Sequence, residues 1–168
     1  MICNVYLVTK RAGPTIADEI KQTRPFASRA QETTVALLRT TDVVRRHLAR
    51  VVAEEDLTLQ QYNVLRILRG ARGEPLCALD IGERLIEETP GVSRLIDRLV
   101  RKGLVRRDRS STDRRLLECF ITPRGLQVLT RLDAPVDRAD NDVLRALTKE
   151  EIETLNGLLE RIRHSGNG

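Results

Sequence analysis

Helical spacing of apolar residues, a repeated set of helix caps and one strongly cationic stretch that breaks the spacing predict a mainly α protein. Its expected architecture is a winged helix-turn-helix with a two-stranded β wing and N- and C-terminal dimerisation helices. The caps come first. Ser28-Arg-Ala-Gln31, Thr58-Leu-Gln-Gln61 and Thr148-Lys-Glu-Glu151 each fit the S/T-x-x-E/Q box, in which side-chain oxygens satisfy the N–H groups that the first turn leaves open. Thr89-Pro90 and Thr122-Pro123 mark two more starts, because proline at the first helical position lacks an N–H that would find no partner there. Gly70 and Gly103 fall where C-terminal caps are expected. With the apolar spacing, these limits predict helices over 15–23, 28–54, 58–70, 77–86, 90–102, 123–145 and 148–163. Pro135 lies inside the helix at 123–145 and predicts a kink or break there. Glu54-Glu55-Asp56 reads as an acidic surface turn.

The helical pattern fails over Leu104–Arg109 and Leu116–Ile121, two short runs joined by the polar residues 110–115, and these read as a hairpin. The stretch from Arg94 to Arg115 holds nine Lys or Arg against three Asp, a surplus of six, while the whole chain carries only +5. Such a concentration of cations neutralises phosphates and releases their counterions, which points to nucleic acid. Aromatic faces, on which single strands stack, are limited to two Tyr and two Phe, so a duplex is the expected partner.

Within the helix at 90–102, Val92, Leu95, Ile96 and Leu99 fall on one face and Ser93, Arg94, Asp97, Arg98 and Arg101 on the other, as a helix lying in a major groove requires. Ser93 and Arg94 are candidate groove readers. Arg98, Arg101 and Arg106 are candidate phosphate contacts, and Arg109 and Arg114 bracket the tip of the hairpin. Thr89 is a helix cap first and a DNA contact second. The terminal helix carries Ile152, Leu155, Leu159 and Ile162 at three- and four-residue intervals, a helix-packing seam, and Val35, Leu38, Leu48 and Val51 give the first long helix a looser stripe. Spare apolar faces flanking a small DNA-binding module predict a homodimer.

Other functions lack their residues. There is no G-x-S-x-G, Walker loop or H-E-x-x-H, so no enzyme is expected. The cysteines, Cys3, Cys77 and Cys119, are odd in number and contain no C-x-x-C, against a disulfide framework or a structural zinc. Cys77 stands at a helix start, where the dipole lowers a thiol's pKa, but a small buried hydrophobe is the commoner fate. His47 and His164 lie far apart and read as incidental surface residues; no metal or cofactor is expected. No apolar run reaches the length of a membrane span, and Ile2–Val8 is too short and too interrupted for a signal segment, so a cytoplasmic protein is expected.

Five stretches, in this order, resemble the MarR (multiple antibiotic resistance regulator) family of transcriptional regulators: 57–65 (LTLQQYNVL), 92–106 (VSRLIDRLVRKGLVR), Asp113-Arg-Arg115, Ile121-Thr-Pro-Arg-Gly125 and Leu147-Thr-Lys-Glu-Glu-Ile152. The resemblance covers about residues 28–163; Met1–Arg24 lies outside it. It implies a homodimer on a pseudo-palindromic operator, most often a repressor. In the family's D-x-R wing motif the arginine enters the minor groove and the aspartate steadies it, which falls on Arg115 and Asp113. A cleft between dimerisation helices and DNA-binding lobe, taking a small aromatic or lipophilic effector, is also implied. Effector binding would then alter the spacing of the two recognition helices. The family's oxidant sensors use a cysteine early in the first long helix, and residues 28–54 contain none.

The expected organisation is an N-terminal extension over 1–26, a dimerisation helix over 27–57, the winged helix-turn-helix over 58–122 and C-terminal dimerisation helices over 123–168. Two rival readings are a sequence-tolerant architectural DNA binder and a winged helix used for protein partnership.

Overall fold

The computed structural model describes residues 13–110 and 116–165. Among them the elements run α1 (Ile16–Glu19), α2 (Arg29–Ala53), α3 (Leu59–Gly70), α4 (Ala78–Glu83), α5 (Val92–Arg101), β1 (Val105–Arg109), β2 (Leu117–Ile121), α6 (Pro123–Leu144) and α7 (Lys149–Ser165). The chain divides into two compact units, Met1–Val44 and Arg45–Gly168, with the boundary inside α2. No helix among the described residues is long and apolar enough to cross a membrane.

In the first unit α1 is a single turn. Thr15 caps it, accepting from the Asp18 N–H at 3.3 Å while the Asp18 carboxylate accepts from the Thr15 N–H at 2.8 Å. The helix expected over 15–23 stops early because Lys21 turns left-handed, with φ +53°. Pro25 then disfavours helical backbone at Arg24. Ser28 serves α2 from one side only. Its Oγ accepts from the Gln31 N–H at 3.1 Å, whereas Gln31 Oε1 reaches past it to the Ala27 N–H at 2.7 Å.

The second unit holds the core. Tyr62, Leu65 and Leu68 of α3, Leu95, Ile96 and Leu99 of α5, and Val128, Leu129 and Leu132 of α6 form one cluster with Val52 of α2 and Cys119 of β2. Leu65, Ile96, Leu99 and Leu129 are wholly enclosed; each such side chain stabilises by about 1.5–3 kcal/mol. The Thr58/Gln61 box forms as expected, with reciprocal bonds of 3.1 and 3.2 Å. Gly70, expected as a cap, is instead the last helical residue. The Ala71 N–H still donates to Ile67 O at 3.1 Å, and left-handed backbone arrives only at Arg72 and Gly73, with φ +52° and +96°.

The acidic turn before α3 is more than a solvated surface. Glu55 takes a two-pronged bond from Arg131 of α6, at 2.6 and 2.7 Å, and Lys102 at the end of α5 donates to the Asp56 carboxylate at 2.8 Å. The Arg131 guanidinium holds the Glu55 carboxyl below its usual range. Such exposed pairs contribute little stability singly, but they hold the end of α5 and the middle of α6 against the turn.

β1 and β2 pair antiparallel, Val105 opposite Ile121 through Arg109 opposite Leu117. Leu76 adds a one-residue third rung: the Cys119 N–H donates to Leu76 O at 2.9 Å and the Leu76 N–H to Cys119 O at 3.4 Å. Thr122 then starts α6 on the base of the wing. Its N–H donates to Leu104 O at 3.1 Å, its hydroxyl to Gly103 O at 2.8 Å, and its Oγ accepts from the Gly125 N–H at 3.1 Å.

Pro135 does not break α6, which is continuous from Pro123 to Leu144. Leu132, Val136 and Ala139 are buried on both sides of the proline, so core packing holds the helix through the one missing bond. α7, boxed by Thr148 and Glu151 as expected, buries none of its residues in its own chain. Ile152, Leu155 and Leu159 are half-buried, and Leu158 and Ile162 are each 47% exposed.

Candidate nucleic-acid interface

The interface starts from the turn ahead of α5. Thr89-Pro90 was expected to cap this helix, but the cap is Gly91, at φ +84°. Pro90-Gly91 is a turn dipeptide: proline presets its own φ and glycine supplies the left-handed one, so the helix cannot begin until Val92. Thr89 therefore lies behind the helix start, half-buried, donating its hydroxyl to Glu87 O at 3.1 Å and accepting from Gln60 Nε2 at 3.4 Å. Asn63 Oδ1 accepts from the Ile86 N–H at 3.2 Å, and Arg45 pairs with Glu87 at 3.3 Å, so the whole turn is pinned from α2 and α3.

Along α5 the two faces separate as the sequence requires. Leu95, Ile96 and Leu99 are buried, and Ser93, Arg94, Asp97, Arg98 and Arg101 are exposed. Arg94, Arg98 and Arg101 stand four and three residues apart, each a neighbour of the next along one face. Like charges so placed cost a helix about 0.2–0.5 kcal/mol per pair. Among the described residues no ion pair involves any of the three, nor Arg109. A row of unneutralised arginines is a standing cost that a bound polyanion removes.

The end of α5 is closed by a Schellman cap. Gly103, at φ +69°, donates its N–H to Val100 O at 2.8 Å, and the Leu104 N–H donates to Leu99 O at 3.0 Å. Only Lys102, Gly103 and Leu104 separate helix from wing, so the direction of β1 follows from the direction of α5.

Side chains alternate across the wing. Val105, Arg107, Cys119 and Ile121 face inward, while Arg106, Asp108, Glu118 and Phe120 face away. Arg106 lies 4.4 Å above the Phe120 ring and is ion-paired with Asp108, so this candidate occupies the outer face of the wing, held flat. Lys102, counted with the cationic stretch, is committed to Asp56. Asp113, Arg114 and Arg115 lie outside the described residues.

The residue that sequence reasoning missed is Arg107. Its Nη1 pairs with Asp97 Oδ1 at 2.8 Å and its Nη2 donates to Ser93 O at 3.4 Å, linking wing to helix. Its Nε is enclosed, with no oxygen or nitrogen partner. Burial pushes the Cys119 thiol up, against the lowering pull of the Arg107 guanidinium beside it. Strand alternation carried the signal: an arginine two residues from the inward Val105 must point inward and needs a partner there.

Cys77, just ahead of α4, is half-buried, and its N–H donates to the Asp80 carboxylate at 2.8 Å. His47 is not a surface histidine: it is half-buried on α2 with Nε2 enclosed and unbonded. Among the described residues no cluster of His, Cys, Asp or Glu could hold a metal ion.

Known proteins share this geometry. The MarR family model matches residues 55–116. A transcriptional regulatory protein for the hcr operon of Thauera aromatica is 33% identical over 118 residues, 70% of either chain. The homoprotocatechuate degradative operon repressor of Escherichia coli is 28% identical over 134 residues, 80% of this chain and 89% of that protein. Among solved structures, a MarR transcription factor from Planctomyces limnophilus is 36% identical with a TM-score of 0.64, covering 81% of this chain and 98% of its own. With the family model spanning α3 through β1, and a relative above one-third identity matched over nearly its full length, the chain belongs to the MarR family.

Proposed function

We propose that this protein is a homodimeric, cytoplasmic repressor that binds a pseudo-palindromic duplex operator and is released by a small aromatic or lipophilic effector. α5 reads the major groove through Ser93 and Arg94. Arg98, Arg101, Arg106 and Arg109 meet phosphates, with Thr89 at the edge of the site, and Arg115, steadied by Asp113, enters the minor groove beside Arg114. The observation that carries this reading is the exposed row Arg94, Arg98 and Arg101 on a helix whose other face is core, continued into a basic wing. The organisation follows: extension 1–26, dimerisation helix 27–57, DNA-binding module 58–122, and C-terminal dimerisation helices 123–168.

Selection of bound sequences from a random duplex pool tests the reading. The expected product is a motif with two-fold symmetry, bound about 10³-fold or more tighter than random duplex. Selection without enrichment identifies an architectural binder, and no retention of any duplex identifies a winged helix used for protein partnership.

On the selected duplex, Arg94→Ala is expected to cost about 1–3 kcal/mol and to relax the preference at one base position. Arg101→Ala should instead weaken all sequences alike and reduce the slope of log affinity against log salt by about 0.9 for each phosphate it no longer neutralises. Fluorescence titrations at several salt concentrations check both. Unchanged affinity for Arg94→Ala would remove α5 as the reading helix.

A further inference from the structure

We infer that the Asp97–Arg107 pair is a positioning strut that fixes the angle between the reading helix and the wing, and that Arg107 serves DNA binding without touching DNA. The inference rests on the proposed function. By composition Arg107 is one more cation of a basic segment, and Asp97 is an acid on the face turned toward phosphates. The geometry assigns both another role. Arg107 projects from the inner face of β1, its fork spanning Asp97 and Ser93, two residues one helical turn apart on α5. A planar guanidinium gripping two rungs restrains the helix against rotation about its own axis as well as against tilting from the wing. Its Nε is enclosed and the side chain as a whole is only 21% exposed, so it has little freedom to swing outward.

The pair also acts on charge. Asp97 is the one acid on the exposed face of α5 and stands one residue before Arg98 and three after Arg94. Left alone it would neutralise one of those arginines. Bound to Arg107 it does not, and Arg94, Arg98 and Arg101 keep their full charge toward solvent.

A charge-balanced set of variants separates this strut from simple electrostatics. Asp97→Asn adds one positive charge to the face, Arg107→Gln removes one, and the double variant has the charge of the natural protein. If the two residues act only through charge, Asp97→Asn binds the selected duplex more tightly, Arg107→Gln more weakly, and the double variant is unchanged. If Arg107 contacts a phosphate, Asp97→Asn binds at least as tightly as the natural protein. A strut gives a third pattern. All three variants bind on the order of tenfold more weakly, and the double variant is no worse than either single one, because each change removes the same link.

Hydrogen exchange of the free dimer supplies a readout that needs no DNA. Amides of β1 and β2 should exchange faster in all three variants while those of α3 and α6 stay protected. Faster exchange with no duplex bound by the natural protein would keep the strut and sink the DNA reading. Tighter binding by Asp97→Asn, or unaltered wing exchange in all three variants, would overturn the strut.

Discussion

Replacing Leu155 and Leu159 together by aspartate is expected to convert the proposed dimer to monomers and to abolish high-affinity operator binding. α7 carries five apolar residues, Ile152, Leu155, Leu158, Leu159 and Ile162, on seventeen, yet buries none of them within its own chain. Such a surface is stable in water when a second copy covers it. Each leucine buried there contributes about 1.5–3 kcal/mol, and two-fold symmetry counts every residue twice. The substitutions bring four carboxylates into that seam per dimer, each desolvated with no partner, at a cost that exceeds the lost apolar burial. Neither leucine belongs to the internal core, so the protomer should keep its helical content. Operator affinity falls with dimerisation because a lone protomer reaches one half-site only. Light scattering and duplex titration of the same sample decide the matter; a double variant that remains dimeric and binds normally would place the dimer interface elsewhere.

Gly125→Ala is expected to be among the most damaging single-methyl changes in the chain. A Cβ at this position would lie 2.4 Å from Leu104 O and 2.8 Å from Ile121 Cγ1. Leu104 O is not free to retreat, since it accepts the Thr122 N–H that seats α6 on the wing. The methyl must push the first turn of α6 off the hairpin, at about 1–3 kcal/mol or more. In a chain of this size that lowers the melting temperature by about 2–4 °C per kcal/mol. Gly70→Ala is the matched control: it ends α3 with no atom within 4 Å of the added carbon, and alanine there should stabilise slightly. Thermal unfolding followed by circular dichroism measures both, and equal melting temperatures for the two variants would contradict a clash at Gly125.

Much of the fold was legible because its boundaries are local chemistry. The Thr58, Thr122 and Thr148 caps, the Gly103 terminator and the two faces of α5 are each specified within four or five residues, and the structure forms all of them. The misreadings arise where two local signals compete or where packing decides. Thr89-Pro90 carried a helix-start signal, but Pro90-Gly91 carried a turn signal, and the glycine's left-handed φ of +84° is incompatible with a helix already under way. Pro135 marked a break that the buried Leu132 and Val136 prevent. What could not be read residue by residue was partnership across the fold. Arg107 and Asp97 are ten residues apart on different elements, and Glu55 and Arg131 are seventy-six apart. Only the hairpin register and the seating of α6 bring these charges together, so a tally of basic residues overstated how many of them face outward.

The closure of Thr122 on Gly103 also bears on the order in which the protein is made. Its hydroxyl meets the Gly103 carbonyl across a separation of nineteen residues, and the links that join α5, the two wing strands and the first turn of α6 to one another are all of this short range. Pairings between near neighbours in sequence cost little loop entropy and form quickly. Assembly of two chains is bimolecular and waits on encounter. On the proposed function, a newly synthesised protomer completes its reading head before it finds a partner, and the fraction of chains left monomeric falls as expression rises. Occupancy of the proposed operator would then depend on more than the first power of protein concentration, so that a modest change in synthesis would act as a sharper change in regulation.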